Sequence, residues 1–277
     1  MQHTRETCVS SAKTPFWRTR WRPLALTPHV TYKLRGFGQL KGCSEEWLAE
    51  VARKDVRPVP PRVDLLRQGE CTGPLHLLLE GWAIRYKTLE DGRRQILSVL
   101  LPGDIFDING HLANSMDHSI ATLTAVRLAV LDDDFLDVAR ARHPDLEKLL
   151  WCDMHVSAAT QRERSTSLGQ RTARERMAHL LCELFVRQRS VRLVSGKTCA
   201  FHLTQTELAE ALGMTPVYVN RTLQDLRRDG VIQLEQKTLT VNDLPRLAAL
   251  ALFDPGYLKI CDADGGTGSH KENADAV

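Results

Sequence analysis

Leu203-Thr-Gln-Thr-Glu-Leu-Ala-Glu-Ala-Leu-Gly213-Met-Thr-Pro-Val-Tyr-Val-Asn-Arg221-Thr-Leu-Gln-Asp-Leu-Arg-Arg-Asp-Gly-Val231 reads as two short helices joined at a glycine. Thr204 and Glu207 stand at capping-box spacing. The hydroxyl accepts from the backbone N–H three residues on, and the carboxylate reaches back to the N–H of Thr204. Leu208, Ala209 and Leu212 share one face, and the small Ala209 lets a second helix come close. Gly213 is placed to take a positive φ and end the first helix. Thr215 and Pro216 restart the chain as N-cap and first helical residue. Val219, Leu223 and Leu226, spaced by four and three, then point inward. Tyr218, Asn220, Arg221 and Gln224 are left on the outer face. Such a pair is a helix-turn-helix, whose second helix fits a major groove.

The residues that follow strengthen this reading. Ile232-Gln-Leu234 and Leu239-Thr-Val241 alternate with period two around a polar turn at Glu235-Gln-Lys237, which predicts a β-hairpin wing. The outward side chains suit base edges: Asn pairs with adenine and Arg with guanine, and Val217 is able to touch a thymine methyl. Thr204, Gln205, Thr215, Pro216, Val217, Tyr218, Asn220, Arg221, Gln224 and, in the wing, Lys237 form the expected DNA face.

Upstream, from Val63 to Asp132, the pattern changes to short β runs. His76–Leu79, Gly81–Lys87, Gln95–Leu101, Ile120–Val126 and Leu128–Leu131 are separated by turns at Glu90-Asp91-Gly92 and Pro102-Gly103-Asp104. Strands so spaced imply an all-β sandwich or barrel. Helical pattern resumes at Asp133. A helix is expected from about Pro144 to Thr166, with Leu149, Cys152, Val156 and Ala159 as a heptad-like seam for a partner copy. A further amphipathic helix, about Arg171–Arg189, leads to the DNA-binding module, and Cys182 falls on its core side.

The expected organisation is α+β, with an N-terminal antiparallel β jelly roll, a long dimerisation helix and a C-terminal winged helix-turn-helix. Residues 1–32 are basic, contain Trp17 and Trp21, and read as a flexible extension. Residues 33–143 form the β-roll sensor domain, with a short helix near 44–53. Residues 144–168 are the dimerisation helix, 169–255 the DNA-binding domain, and 256–277 a Gly-, Ser- and charge-rich disordered tail.

The bulk numbers fit a soluble, cytoplasmic, two-domain protein of 277 residues, 43% hydrophobic and 26% charged. No apolar run is long enough for a membrane span or shaped as a signal peptide, so no membrane partner is expected. Net charge is only +3. Residues 170–250 nevertheless hold twelve Lys/Arg against eight acids, which suits phosphate contact. The seven cysteines are widely spaced and include no C-x-x-C, which argues against a zinc ribbon or a redox pair.

The order of β-roll, long helix and winged helix-turn-helix resembles the CRP/FNR family of bacterial transcription regulators. The match is carried by Gly69-Glu70, Leu78-Leu-Glu-Gly81, Asp91-Gly-Arg-Arg-Gln-Ile96, Leu101-Pro-Gly-Asp104, Thr172-Ala-Arg-Glu-Arg176-Met-Ala-His-Leu-Leu181 and the whole of 203–232, spanning about residues 35–255. The resemblance implies a cyclic-nucleotide-binding-like sensor, a homodimer on pseudopalindromic double-stranded DNA, and contact with RNA polymerase. It implies no catalytic residues.

The resemblance also implies an effector pocket made by Asn109, Gly110, His111, His118, Ser119, Gln161 and Arg162. Cyclic-nucleotide-binding members carry a Gly-Glu pair after the Pro-Gly-Asp turn and then an Arg-Ser pair. Their Arg holds the cyclic phosphate through a charge-assisted fork. Here His118-Ser119 stands at the Arg-Ser place and Ile108 or Asn109 at the Glu place, so cyclic AMP is not the expected effector. The early cysteines, Cys8 and Cys43, lie far apart, which argues against an iron–sulfur cluster. His76, His111 and His118 are the side chains a haem would use; no metal site is expected otherwise. A reading of another class is a cupin-like metal-binding enzyme, since Pro102-Gly103 and His111 are similar to one cupin half-motif. That reading lacks a His-x-His ligand pair and leaves the helix-turn-helix unexplained.

Overall fold

The alternation around Trp82 builds the centre of the N-terminal unit. In the computed structural model, which describes residues 28–35, 46–47, 50–51, 54, 56–71, 73–106 and 115–260, β4 (Ala83–Thr88) pairs antiparallel with β5 (Arg94–Leu100). Their turn closes through Leu89, whose N–H donates to the Arg93 carbonyl at 2.8 Å. The other strands are β1 (Val56–Val59), β2 (Asp64–Leu66), β3 (Leu75–Glu80), β6 (Ile105–Phe106), β7 (Ser119–Thr122) and β8 (Val126–Leu131). They form two four-stranded antiparallel sheets, ordered β1-β8-β3-β6 and β2-β7-β4-β5. Leu78, Ala83, Leu100, Phe106, Ile120 and Leu128 fill the space between them. This is the jelly roll expected.

Helix α1 (Pro28–Arg35) packs on the roll at Gly103. Gly103 has φ +94°, and a Cβ there would lie 2.9 Å from Lys33, so only glycine permits the approach. Helix α2 (Asp133–Arg142) is capped by Asp132, which accepts from the Phe135 N–H. Helix α3 (Leu146–Gln170) is the long helix, and α4 (Ala173–Ser190) starts at a capping box between Thr172 and Glu175.

The C-terminal unit continues with β9 (Val194–Ser195), β10 (Thr198–Ala200), α5 (Gln205–Leu212), α6 (Pro216–Arg228), β11 (Ile232–Glu235), β12 (Thr238–Val241), α7 (Leu244–Ala251) and a 3-10 turn at Pro255–Leu258. Its sheet runs β11-β12-β10-β9, so the wing hairpin is half of a four-stranded sheet. The short β9–β10 pair has too few residues to show period two in the sequence.

One buried cluster joins the two units. It includes Trp82, Ile84, Tyr86, Ile96 and Leu123 of the roll with Leu180, Phe201, Leu208 and Leu223 of the C-terminal unit. Trp82 meets Phe201 edge-on, with ring centroids 6.2 Å apart.

Several sequence expectations are corrected. The expected strand Ile120–Val126 is broken after Thr122, and Val126 begins β8 instead. Residues 28–32, assigned to the flexible extension, are helical, and Val30 is fully buried. Residues 256–260, assigned to the tail, pack against α4: the Tyr257 hydroxyl donates to Glu183 at 3.0 Å and its ring stacks on His179. Residues 1–27 and 261–277 lie outside the described residues.

Candidate nucleic-acid interface and sensor cavity

The local rules read from the sequence position α5 and α6. Thr204 and Glu207 make both bonds of the capping box. Gly213 takes φ 62°, ψ 45° and ends α5. Thr215 then caps α6 by accepting from the Tyr218 N–H at 3.3 Å, with Pro216 in its first turn. Val219, Leu223 and Leu226 are buried against α4 and α5, along with Thr222. Val217 (81% exposed), Tyr218 (49%), Arg221 and Gln224 stand on the opposite, exposed face.

Asn220 is half-buried, and its amide donates to Gln205 Oε1 at 3.3 Å. That bond ties α6 to the start of α5. The Thr204 hydroxyl is committed to Glu207, so it supports the interface rather than reaching outward. Lys237 sits exposed at the wing tip, where Gln236 and Lys237 both have positive φ, as in a type I′ turn. No carboxylate is paired with Arg221 or Lys237 among the described residues. The face therefore offers donors and uncompensated positive charge on a convex helix, which suits a groove lined by phosphates.

Four of the seven effector-pocket residues are among those described. Asn109, Gly110 and His111 lie outside the described residues. His118 Nδ1 is 2.7 Å from Asp117 Oδ1, and the contact holds the Asp117 carboxyl below its usual range. Ser119 Oγ accepts from the Gln68 N–H at 2.9 Å. Gln161 donates to the Leu97 carbonyl at 3.3 Å, and Arg162 is exposed. An imidazole beside a carboxylate is a poor seat for a phosphate. Of the other haem candidates, His76 stacks on Phe106 at 5.3 Å.

The seam residues also turn inward. Leu149 is 2% exposed and packs in the roll's own cluster with Leu75 and Leu77, and Ala159 is buried as well. Cys152 and Val156 are half-buried. The apolar spacing read as a seam instead covers the chain's own core. Trp151 (62% exposed), His155, Ala158 and Arg162 face outward, at spacings of four, three and four.

Sequence reasoning missed a cavity of about 380 Å³ where α1, β5, α3 and the end of α4 meet. Asp104 anchors its wall. The carboxylate takes Lys33 at 2.6 Å, Arg187 at 2.7 Å and the Leu101 N–H at 2.7 Å. Burial alone would raise its pKa, but the two cations and the hydrogen bonds outweigh burial and hold it down to about 2. Lys33 also meets Asp153 at 2.7 Å. Burial disfavours its charge, and the two carboxylates overcome that and raise its pKa. The available signal was charge on otherwise apolar faces: Asp153 among Leu149, Leu150 and Val156, and Arg187 after Leu184 and Phe185.

Burial pushes the thiols of Cys182 and Cys199 up to about 12 and about 11, so neither is a reactive thiolate. Cys71 is exposed and Cys152 half-buried.

Two family models match the chain. Residues 56–143 match the cyclic nucleotide-binding domain, and residues 175–250 the Crp-like helix-turn-helix domain. The chain is 33% identical over 229 residues to the transcriptional activator protein FnrL of Cereibacter sphaeroides, covering 81% of this chain and 88% of that protein. It is 28% identical to the CRP-like cAMP-activated global transcriptional regulator of Mycobacterium tuberculosis, covering 72% and 89%. Among solved structures it is similar to FixK2 from Bradyrhizobium japonicum, with a TM-score of 0.64 at 23% identity, covering 71% of this chain and 96% of that one. None of these matches favours the cupin-like reading.

Proposed function

The chain belongs to the CRP/FNR family of DNA-binding transcription regulators, and from that premise we propose that it acts, without catalysis of its own, as a homodimer on an inverted-repeat DNA site. The exposed face of α6 carries the reading: Arg221 and Gln224 stand clear of the fold, and Asn220 is held by Gln205. In this reading Arg221 bonds guanine, Val217 meets a thymine methyl, and Lys237 and the N-terminus of α6 meet phosphates. Two-fold symmetry of the dimer sets half-sites about one helical turn apart. RNA polymerase is the further partner that the family suggests. Among the described residues no helix is long and apolar enough to cross a membrane; action in the cytoplasm is the further expectation that the family suggests.

The dimer seam of this reading is the outward stripe Trp151, His155, Ala158 and Arg162, rotated about 100° per residue from the seam read in the sequence. The test is selection from randomised duplexes with the full chain, followed by sedimentation. The expected result is an enriched inverted repeat and a species of twice 31.2 kDa, with Trp151→Glu lowering both mass and affinity. Enrichment of no sequence over random DNA would overturn the reading.

Cyclic AMP is not the effector in this reading, because His118 is engaged with Asp117 where a phosphate-holding cation is needed. Calorimetry with millimolar cyclic AMP should show no saturable heat; micromolar binding would overturn that part.

A further inference from the structure

Arg171 and Thr172 alone separate α3, which ends at Gln170, from α4, which begins at Ala173. Both are extended, so their φ and ψ set the direction of α4, and of the helix-turn-helix beyond it, relative to α3. Hinges are short stretches of this kind at the ends of elements. The capping box of Thr172 and Glu175 orders the first turn of α4 but not its angle to α3. Ion pairs made directly from helix to helix are long: Arg164 to Glu183 at 3.7 Å and His179 to Glu163 at 3.5 Å. Arg176 adds a bond to the Leu168 carbonyl at 3.2 Å.

The segment that follows α7 reaches across this bend. Leu252 ends α7 with a left-handed backbone, φ 49°, and its carbonyl accepts from Arg171 at 3.3 Å. Arg171 is tied in turn to α3, through Ser167 at 2.8 Å and Glu163 at 3.1 Å. Phe253 meets the His179 ring of α4 edge-on at 5.1 Å, and Tyr257 stacks on that ring at 6.1 Å. The Tyr257 hydroxyl donates at 3.0 Å to Glu183, the carboxylate that faces Arg164 of α3. Asp254 shapes the turn by accepting from the Gly256 N–H at 2.8 Å. The turn lies against both α3 and α4, with Leu258 buried. All of these C-terminal contacts come after residue 250, where the match to the Crp-like helix-turn-helix domain ends.

We infer that residues 252–258 are a strap across the α3–α4 bend, and that Tyr257 is a positioning residue that sets the angle at which α6 is presented. In a dimer on DNA that angle governs the distance between the two reading helices, so the strap selects half-site spacing rather than base sequence. That consequence rests on the DNA-binding reading, whereas the hold on the bend is measurable without DNA. The buried core around Leu180, Leu208 and Leu223 is built without Tyr257, so removing its side chain frees the bend and leaves the unit folded.

The first arm of the experiment is hydrogen exchange of the full chain, wild type against Tyr257→Ala. The expected result is exchange about tenfold faster at the amides of residues 163–176, with β4, β5 and α6 unchanged. Tyr257→Phe, which keeps the ring stack and loses the bond to Glu183, should fall between the two. Unchanged exchange at the bend in both variants would overturn the strap. So would faster exchange in every element alike, because that marks a general loss of stability. The second arm compares binding to the selected inverted repeat with binding to the same repeat carrying one base pair more or fewer between its half-sites. Wild type should lose about tenfold or more for either change, and Tyr257→Ala about threefold or less, with base preferences inside each half-site unaltered. Spacer discrimination equal to that of wild type would overturn the positioning role. If no duplex is selected, the DNA-binding reading fails and the exchange arm still decides the strap.

Discussion

Glu207 makes two contacts at once. Its carboxylate closes the capping box of α5 and also meets Arg62 from the roll. The cap was legible because it depends on spacing within four residues; the Arg62 partner was not, because 145 residues separate the pair. The same division holds across the DNA face. The positions of Val219 and Arg221 follow from a 3.6-residue period, whereas the Asn220–Gln205 bond depends on how two helices cross. A separation of roles follows for Arg221 and Lys237. Arg221→Ala should cost about 1–3 kcal/mol on the selected site and relax preference at one base pair per half-site. Lys237→Ala should weaken all sequences about equally and reduce the salt slope by about 1 per contact. Binding curves for both variants on selected and scrambled duplexes, at two salt concentrations, check this. Equal weakening of both duplexes by Arg221→Ala would make Arg221 a backbone contact.

At the scale of elements, α3 shows why apolar spacing alone misleads. The helix touches the roll, α4 and the 3-10 turn, so its apolar residues serve its own chain, and the stripe left outside is mixed in character. A sequence reveals that a helix has a buried face but not which neighbour buries it. The contact between α4 and the C-terminal segment has the same origin. His179 of α4 lies between Phe253 and Tyr257, with Nε2 3.5 Å from Glu163. Burial pushes its pKa down to about 4; Glu183 opposes this and Arg171 adds to it. The neutral ring is therefore the native form, and the unfolded chain binds more protons below pH 6.5. The stability it contributes is complete above about pH 6.5 and is lost as pH falls toward about 4, by at most about 3 kcal/mol. Urea unfolding of wild type and His179→Gln at pH 7.5, 6 and 5 should show the variant losing less stability across that range. Parallel pH profiles would mean that His179 does not titrate there.

At the scale of the whole molecule, the two units share a core rather than a linker. Both architectures were legible separately, since each follows from local periodicity. Their joint packing was not, because the face of Trp82, Ile84 and Tyr86 is read only as one side of a strand. In the fold that side meets Phe201 and His202, and Arg94 meets Glu210 of α5 at 2.7 Å. The sensor thus touches the first helix of the DNA-binding pair while the outer face of α6 stays exposed. A shared core also predicts shared unfolding. Trp82 is 3% exposed, and its removal should cost about 3–5 kcal/mol. Calorimetric melting of the wild type should give one transition, because neither unit retains its buried face alone. Trp82→Ala should lower that transition and split it, the C-terminal unit melting apart from the roll. Two transitions in the wild type, with Trp82→Ala moving only one, would show that the junction is a contact between independent domains and that coupling does not run through this core.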